Sequence, residues 1–355
     1  MSVRSITENY YKIAAKNALW IVVAVAILFF LSVTACTLGI ADLSFSRIAV
    51  TYLPYVHNII SAQPLSATEQ NVLVMLRLPR VAAAIVAGAG LGVSGTAMQA
   101  ITGNQMASPF TTGISGAAAL GAAMIIVFGS FPVYTQKAAM VAAAFLMAML
   151  CAVLVYGISA LKGLKAVTLV LAGIALNYFF SAVNSTMQFI ANEEQLPAII
   201  HWTFGSLTGV TWADIAVMAC FFVLIFPIIY LKAWALNLIS ANGDNGAAAL
   251  GVNVIKTRLI VGLGITLITA SVVSFTGIIG FVGLVAPHIS RILVGGNYRQ
   301  VIPFSALSGA MLVLVADTVG RNAFSPTTIP VGIMVSYVGV PLFLYLILRE
   351  RSEQQ

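Results

Sequence analysis

The sequence predicts an all-α polytopic membrane protein with about ten transmembrane helices. Of its 355 residues, 60% are hydrophobic and 8% are charged, whereas an ordinary soluble domain has about 25% charged residues. The mean hydropathy of +1.02 and the 29 glycines, which let helices approach closely in a bilayer, indicate the same class. This composition excludes soluble, collagen-like, disordered and disulfide-rich proteins.

The net charge of +7 does not indicate a nucleic-acid partner, because the basic residues are scattered between apolar runs and form no basic face. Cys36, Cys151 and Cys220 lie in apolar stretches without metal-binding spacing, so they indicate neither disulfides nor a metal site. The remaining clues lie in the spans and in the polar residues between and within them.

Uncharged stretches of about 20 residues are candidate spans, because a helix of that length crosses the hydrocarbon core. The run from Val81 to Gln136 has no charged residue or histidine, and as one helix it would be about 84 Å long. We therefore expect it to fold back at the polar residues before Pro109. The predicted spans, within one transmembrane domain over 1–355, are 17–41, 79–102, 110–130, 138–161, 166–190, 212–231, 257–276, 280–294, 301–320 and 329–348.

The distribution of Lys and Arg predicts the orientation of these spans. The first apolar segment, at about 25 residues, is longer than a signal peptide core, so we expect it to be retained. With both termini in the cytoplasm, only Arg47, Arg77, Arg80, Lys137 and Arg321 fall outside. The other basic residues fall inside, as the positive-inside rule favours: Arg4, Lys12, Lys16, Lys162, Lys165, Lys232, Lys256, Arg258, Arg291, Arg299, Arg349 and Arg351.

The fifth predicted span carries four polar residues at spacings of four, three and four, which place them on one face of a helix. Two interpretations stay open: hydrogen bonding between helices, or the wall of a wet translocation path. The four residues are Asn177, Ser181, Asn184 and Gln188.

Charged residues occur at the predicted outer ends of two spans. Arg77 and Arg80 flank Pro79 at the start of the second span, where they could bind lipid phosphate or an acidic protein surface. Asp317 has Arg321 at i+4, a spacing that allows a helical ion pair. We find no cluster typical of an active site and no P-loop, so we expect no enzymatic activity and no cofactor bound by this chain.

Two further motifs have structural interpretations. Gly90, Gly92 and Gly95 match GxGxxG but lie inside an apolar span without a preceding strand, so we interpret them as close helix packing. In the predicted cytoplasmic loop 232–256, Asp244 is expected to act as an N-cap for a short alanine-rich helix that stops at Gly251. This stiff element could connect two spans or insert into a soluble partner.

Several stretches, in order along the chain, carry a resemblance to one family. They are Arg77-Leu-Pro-Arg80; the glycine-rich run from Gly88 through Gln99 to Asn104 and Ala107-Ser-Pro109, with Gly113-Ile-Ser115-Gly116; Trp202-Thr-Phe-Gly205-Ser206-Leu207; Leu250-Gly251-Val252; Gly277-Ile-Ile-Gly280-Phe-Val-Gly283-Leu-Val-Ala-Pro287-His288-Ile-Ser-Arg291; Ala316-Asp317-Thr-Val-Gly-Arg321; and Ile329-Pro330-Val-Gly332 with Gly339-Val-Pro341-Leu-Phe343. Together they resemble the FecCD or BtuC-like permeases of iron-siderophore, haem and vitamin B12 ABC importers. One departure is Gln105-Met106, where the family usually has Pro-Leu.

The resemblance implies a BtuC-like fold and a permease subunit of an importer in the bacterial inner membrane, with alternating access and both termini cytoplasmic. It implies a homodimer or heterodimer of permeases, two ABC ATPase subunits that bind ATP and Mg, and a periplasmic or lipid-anchored substrate-binding protein. The cargo, an iron-siderophore complex, haem or cobalamin, stays open. The alternative is an ion-coupled secondary transporter, which would depend on Asp317.

By the same resemblance, three groups of residues receive roles. The residues expected to dock the binding protein are Arg77, Arg80 and Arg321. Those expected to couple to the ATPase are Asp244, Asn245, Gly246, Ala247, Ala248, Leu250 and Gly251. The polar face of the fifth span is expected to line the path.

Overall fold

The computed structural model describes residues 3–39, 43–53, 62–324 and 326–352, and every regular element within them is helical. A π-helical segment, Val72–Arg77, joins α3 to α4, and a 3-10 turn, Pro109–Thr112, precedes α5. The helices are α1 (Val3–Thr37), α2 (Phe45–Tyr52), α3 (Ala67–Asn71), α4 (Leu78–Thr102), α5 (Ile114–Phe128), α6 (Val133–Ala160), α7 (Ala166–Ile190), α8 (Gln195–Thr203), α9 (Trp212–Leu231), α10 (Ala233–Ala249), α11 (Val254–Thr276), α12 (Val282–Val294), α13 (Tyr298–Asn322) and α14 (Val331–Ser352).

Ten of these helices correspond to the ten predicted spans. Seven are long and apolar enough to cross a membrane: α1, α4 together with the helical turns before it, α6, α7, α9, α11 and α13. The shorter apolar helices α5, α12 and α14 supply the other three. The bounds of α7 and α9 match the predicted spans 166–190 and 212–231, whereas α1 begins at Val3, well before residue 17. The predicted end of the first span, 40–41, lies outside the described residues.

The chain folds back after α4 as the polar stretch predicts. Gly103 ends α4 in the left-handed conformation, with φ of 61°, which a glycine adopts without steric cost. Ser108 then caps the 3-10 turn by accepting a hydrogen bond from the backbone N–H of Phe110. Because α5 starts only at Ile114, it has 15 residues, and the prediction of a continuous span 110–130 is wrong at its beginning.

Helix α4 lies at the centre of the bundle and packs against α11, α12 and α13. A Cβ added to Gly92 would overlap the carbonyl of Ser305 on α13, and one on Gly95 would overlap Gly283 on α12. The GxGxxG motif therefore brings helix backbones together, which confirms the packing interpretation. Because α4 packs against several core helices, a displacement of α4 would change the packing of those helices as well.

Three segments predicted as connections contain helices. The outer segment 191–211 contains α8, and the predicted loop 232–256 is largely α10, which is broken at Gly243 with φ of 66° and ψ of −176°. The segment 42–78 contains α2 and α3, which a bidentate ion pair of Arg47 with Glu69 holds together at 2.8 Å. Helices of this length are too short to register as spans, so apolar length alone does not reveal them.

Candidate functional site

Two arginines contact one buried carboxylate at one end of the bundle, and a third arginine lies close by in the chain. Asp317, near the end of α13, has a side chain only 1% exposed. Arg80 of α4 donates from Nε to both of its carboxylate oxygens at 2.9 and 3.0 Å, and the Nε atom of Arg321 lies 3.3 Å from Oδ2. The ion pair predicted between Asp317 and Arg321 is confirmed, and Arg80 is an additional partner. We call this end of the bundle, which carries Arg77, Arg80 and Arg321, the arginine end.

Arg77 holds the last turn of α1. Its Nη1 atom donates to the carbonyls of Cys36 and Thr37 at 2.7 and 2.9 Å, which lack donors within their own helix. Arg321 similarly donates to the carbonyl of Ala35 at 3.0 Å. These contacts join α1, α4 and α13 at the arginine end.

A π-helical turn sets the direction of Arg77. Pro79 has no backbone N–H and its ring crowds the preceding turn, and the helix accommodates it through the segment Val72–Arg77, in which the N–H of Leu78 bonds to Leu73. The carbonyl of Val74 instead accepts the indole N–H of Trp212 at 3.1 Å. Pro79 thus lies in the first turn of α4, directly after the π-helical segment.

The side chains of the three arginines are largely enclosed by the chain itself. The side chains of Arg80 and Arg321 are 14% and 12% exposed, Arg77 is buried, and all three hold partners within the chain. Arg80 uses its Nη1 atom to reach the hydroxyl of Thr208 at 3.1 Å. One carboxylate faces two guanidinium groups, so the Arg80, Asp317 and Arg321 group keeps an excess positive charge.

The opposite end of the bundle carries a rigid short helix, residues 244–249, after the break at Gly243. It ends in a Schellman motif, in which the N–H of Val252 bonds to Ala247 and that of Gly251 to Ala248, both at 3.0 Å. Gly251 has φ of 85°, which confirms the predicted glycine stop. Ala247 packs in a small apolar core with Ala235, Ile239, Val252 and Val254.

The short helix presents an apolar surface to its surroundings. Asn245, Ala248 and Leu250 are exposed, whereas Asp244 and Gly246 are partly buried. Leu250 is 55% exposed. The exposed side of this helix therefore carries Asn245, Ala248 and Leu250 and no charged residue.

Asp244 does not have the predicted N-cap role. The residue with non-helical backbone angles is Gly243, so Asp244 is the first residue of the short helix. Its Oδ2 and Oδ1 atoms accept hydrogen bonds from Nη1 and Nη2 of Arg258 on α11, each at 2.7 Å. Sequence reasoning used Arg258 only as a topology marker, because nothing in the sequence shows which groups surround it.

The four polar residues of α7 differ in burial and in their contacts. Asn184 is 9% exposed and donates from Nδ2 to the carbonyl of Gly116 on α5 at 2.8 Å, as the interhelical interpretation predicts. Asn177 is partly buried and approaches the same glycine. Ser181 is exposed and Gln188 is partly buried, so these two are the members of the set that are available to a path.

A cavity of about 540 Å³ lies between α6, α9 and α11, next to an ion pair of Lys137 with Asp214 at 2.5 Å. Phe145 and Phe221 line it and contact each other. Its lining comes from three separate helices, so no local sequence motif predicts the cavity.

Within the described ranges, no group of three or more His, Cys, Asp or Glu residues could hold a metal ion.

Comparisons with known proteins agree on one family. The sequence profile of the FecCD transport family matches residues 18–349. A protein of Methanocaldococcus jannaschii assigned as an ABC transporter permease is 38% identical over 354 residues, covering 97% of this chain and 98% of the relative. An Fe(3+)-citrate import system permease of Bacillus subtilis is 34% identical over 337 residues, covering 94% and 96%.

A solved structure agrees as well. It is described as an inward-facing conformation of a metal-chelate type ABC transporter, and its chain is 30% identical to this one. The TM-score is 0.81, and the match covers 94% of this chain and 99% of that chain. The likeness therefore extends over the whole helical bundle.

Proposed function

Because the chain belongs to the FecCD transport family, we propose that it is the transmembrane permease subunit of an ATP-driven importer. The match of the family profile to residues 18–349 is the observation that carries this proposal. The cargo we propose is a ferric chelate such as an iron-siderophore complex, in line with the name of the Fe(3+)-citrate relative, with haem or cobalamin as the other members of the class. The chain would move its cargo across the inner membrane by alternating access.

The proposed division of labour leaves ATP chemistry to partners. The sequence has no P-loop, so two ABC ATPase subunits would bind ATP and Mg and would hydrolyse the nucleotide. The exposed Leu250 and the alanines beside it on the short helix would seat in a groove of one ATPase subunit. A helix that is capped at its end and packed through Ala247 can transmit a displacement without bending.

At the arginine end, a substrate-binding protein would dock through acidic side chains. Arg77, Arg80 and Arg321 are the proposed contacts, and a carboxylate of the partner would compete with Asp317 for Arg80 and Arg321. Because two guanidinium groups share one carboxylate, an additional acid would be attracted without displacing Asp317 altogether. The excess positive charge would also speed the encounter.

The translocation path would form between two permease copies, either identical or closely related. We propose that Ser181 and Gln188 of α7 face it, whereas Asn184 holds α7 against α5. Tyr178 and Phe189, which lie on exposed parts of the same helix, would be covered in the dimer. Both termini would lie on the cytoplasmic side, with the short helix.

An ion-coupled secondary transporter is less well supported. Such a carrier needs a carboxylate that releases and rebinds an ion in the membrane. Asp317 is instead neutralised by two arginines at the end of α13, an arrangement suited to a fixed ion pair.

The test is uptake by vesicles that contain the permease with its co-purified ATPase and binding protein. They are offered a ferric siderophore, haem and cobalamin in parallel, with ATP or a non-hydrolysable analogue on the ATPase side. ATP-dependent uptake of one cargo is expected, and it would identify the substrate. Accumulation of a cargo with the analogue alone would overturn the proposal.

A further inference from the structure

Arg258 joins four segments at the short-helix end of the bundle. It lies one turn into α11 and its side chain is 3% exposed. Its Nε atom donates to the carbonyl of Ile101 in the last turn of α4 at 2.7 Å, and Nη1 donates to Leu164 between α6 and α7 at 3.1 Å. The remaining bonds go to Asp244, the first residue of the short helix.

The chemistry of these acceptors requires a guanidinium. The carbonyl of Ile101 belongs to the last turn of a helix, where no donor within the helix is available. A planar guanidinium with five N–H groups can serve two carbonyls and a carboxylate at once, which a lysine ammonium cannot do with the same geometry. Asp244 supplies the opposite charge that the buried Arg258 needs.

The short helix lies between two glycines, and its closing hydrogen bonds join it to the turn before α11 and not to other helices. Gly243 and Gly251 both have positive φ, and neither would place a Cβ within 4 Å of another group. Ala247 contributes apolar packing, but that core is formed by α10 and the start of α11. Asp244 and Arg258 link the short helix by hydrogen bonds to the last turn of α4, in addition to the packing of α10 against α4.

We propose that the pair of Asp244 and Arg258 is the joint through which the short helix moves the inner ends of α4 and α11 together. Arg258 is thus a positioning residue for transport, and the proposal rests on the coupling function given above to the short helix. A push on the short helix reaches α4 directly through one guanidinium, and α4 in turn contacts α11, α12 and α13. Without the pair, the short helix would move about its two glycines while α4 stayed in place.

The test is the ratio of cargo imported to ATP hydrolysed, measured on the same vesicles of the assembled transporter. Asp244→Asn keeps the shape of the side chain and removes its charge, and it is expected to lower the ratio at least tenfold while ATP hydrolysis continues. Asp244→Glu, which retains the charge, should restore most of the ratio. Lys256→Gln is the matched control, since Lys256 is an exposed cation two residues from Arg258, and its ratio should equal that of the wild type.

Each outcome decides the proposal. The ratio does not depend on the amount of folded transporter. If Asp244→Asn only reduced folding, uptake and hydrolysis would fall in parallel and the ratio would stay at its wild-type value, which would overturn the role proposed for the pair. A wild-type ratio in Asp244→Asn would overturn it as well. If Leu250→Asp uncouples the transporter and Asp244→Asn does not, the coupling function of the short helix is supported and the role of the Asp244–Arg258 pair is refuted. If neither variant uncouples it, both fall.

Discussion

The Nε atom of Arg80 lies 2.9 and 3.0 Å from the two carboxylate oxygens of Asp317, which is 237 residues away in sequence. The pair fixes the beginning of α4 against the end of α13, and Gly88 and Gly309 then bring the two backbones together further along. These contacts run in opposite directions along the two helices, so α4 and α13 pack antiparallel. The docking surface that we propose is therefore built on the most closely packed helix pair of the core.

Asp317→Asn separates two possible roles of this carboxylate. Removing one partner of a buried ion pair leaves the guanidinium charges uncompensated, so we expect the free energy of unfolding to fall by about 3 kcal/mol. Binding of the substrate-binding protein should become tighter, because its acids no longer compete with Asp317. Denaturant unfolding in detergent and titration with the binding protein check both effects. ATP-driven uptake abolished in a folded Asp317→Asn transporter would contradict the role of a fixed pair.

Arg80→Gln tests the docking proposal with little change of shape. We expect capture of the binding protein to weaken about tenfold, which corresponds to about 1.4 kcal/mol, and to depend less on salt than in the wild type. Surface-immobilised permease and a salt series provide the measurement. Arg299→Gln is the control, because Arg299 is exposed at the opposite end of the bundle. Equal loss in both variants would mean that net charge, not the arginine cluster, governs capture.

Leu250→Asp tests the contact of the short helix with the ATPase. A charge at this exposed apolar position would have to be desolvated in the ATPase groove, so we expect the ATPase subunits to dissociate more readily and uptake to fall at least tenfold. Co-purification and uptake are the measurements. Lys256→Gln, at an exposed position in the first turn of α11, is the control. A Leu250→Asp permease that retains its ATPase and its uptake would remove this helix from the coupling mechanism.

Gly95→Ala tests the close contact of α4 with α12. The added Cβ would overlap the backbone of Gly283, so the two helices would have to separate, and we expect a large loss of folded protein in detergent. Gly157→Ala is the matched control. Gly157 lies within α6 with nothing within 4 Å of an added Cβ, so there the change should be neutral or should stabilise the helix by about 0.5–1 kcal/mol. Similar yields and melting temperatures for both variants would contradict the packing role.

The two remaining polar positions of α7 are tested by labelling. Cys36 and Cys151 are buried and Cys220 is exposed, so Cys220→Ser provides a background with little reactive thiol. In that background, Ser181→Cys treated with a bulky thiol reagent should lose uptake, because the label would stand in the path. Thr186→Cys, at an exposed position on a different face of the same helix, is the control. Unchanged uptake after complete labelling of Ser181→Cys would exclude it from the path.

The sequence predicts the spans well where polar residues mark both ends. α7 begins after Lys165, and α9 begins at a capping box formed by Thr211 and Asp214, so their predicted bounds agree with the structure. α10 was not predicted as one helix, because its polar residues and Gly243 resemble a loop. Helix propensity and tertiary contacts, which apolar length does not measure, decide that segment.

The candidate sites were predictable to a smaller extent. The arginines and the short helix stand out as local motifs, whereas their partners are far away in sequence. Nothing near Arg258 indicates that it would meet Ile101 and Leu164, and nothing near Arg80 indicates Asp317. Asn184 and Ser181 share a helix face by spacing, but the packing of α5 buries one and leaves the other exposed, which only the tertiary arrangement determines.

The most direct measurement of the central claim is cargo uptake by vesicles in which ATP and the ion gradients are varied independently. With the permease, the ATPase and the binding protein present, uptake is predicted to follow ATP hydrolysis and to continue when proton and sodium gradients are collapsed by ionophores. It is predicted to stop in a variant of the ATPase that cannot hydrolyse ATP. Uptake that follows an imposed proton or sodium gradient without ATP would contradict an ATP-driven permease and would favour a carrier that depends on Asp317.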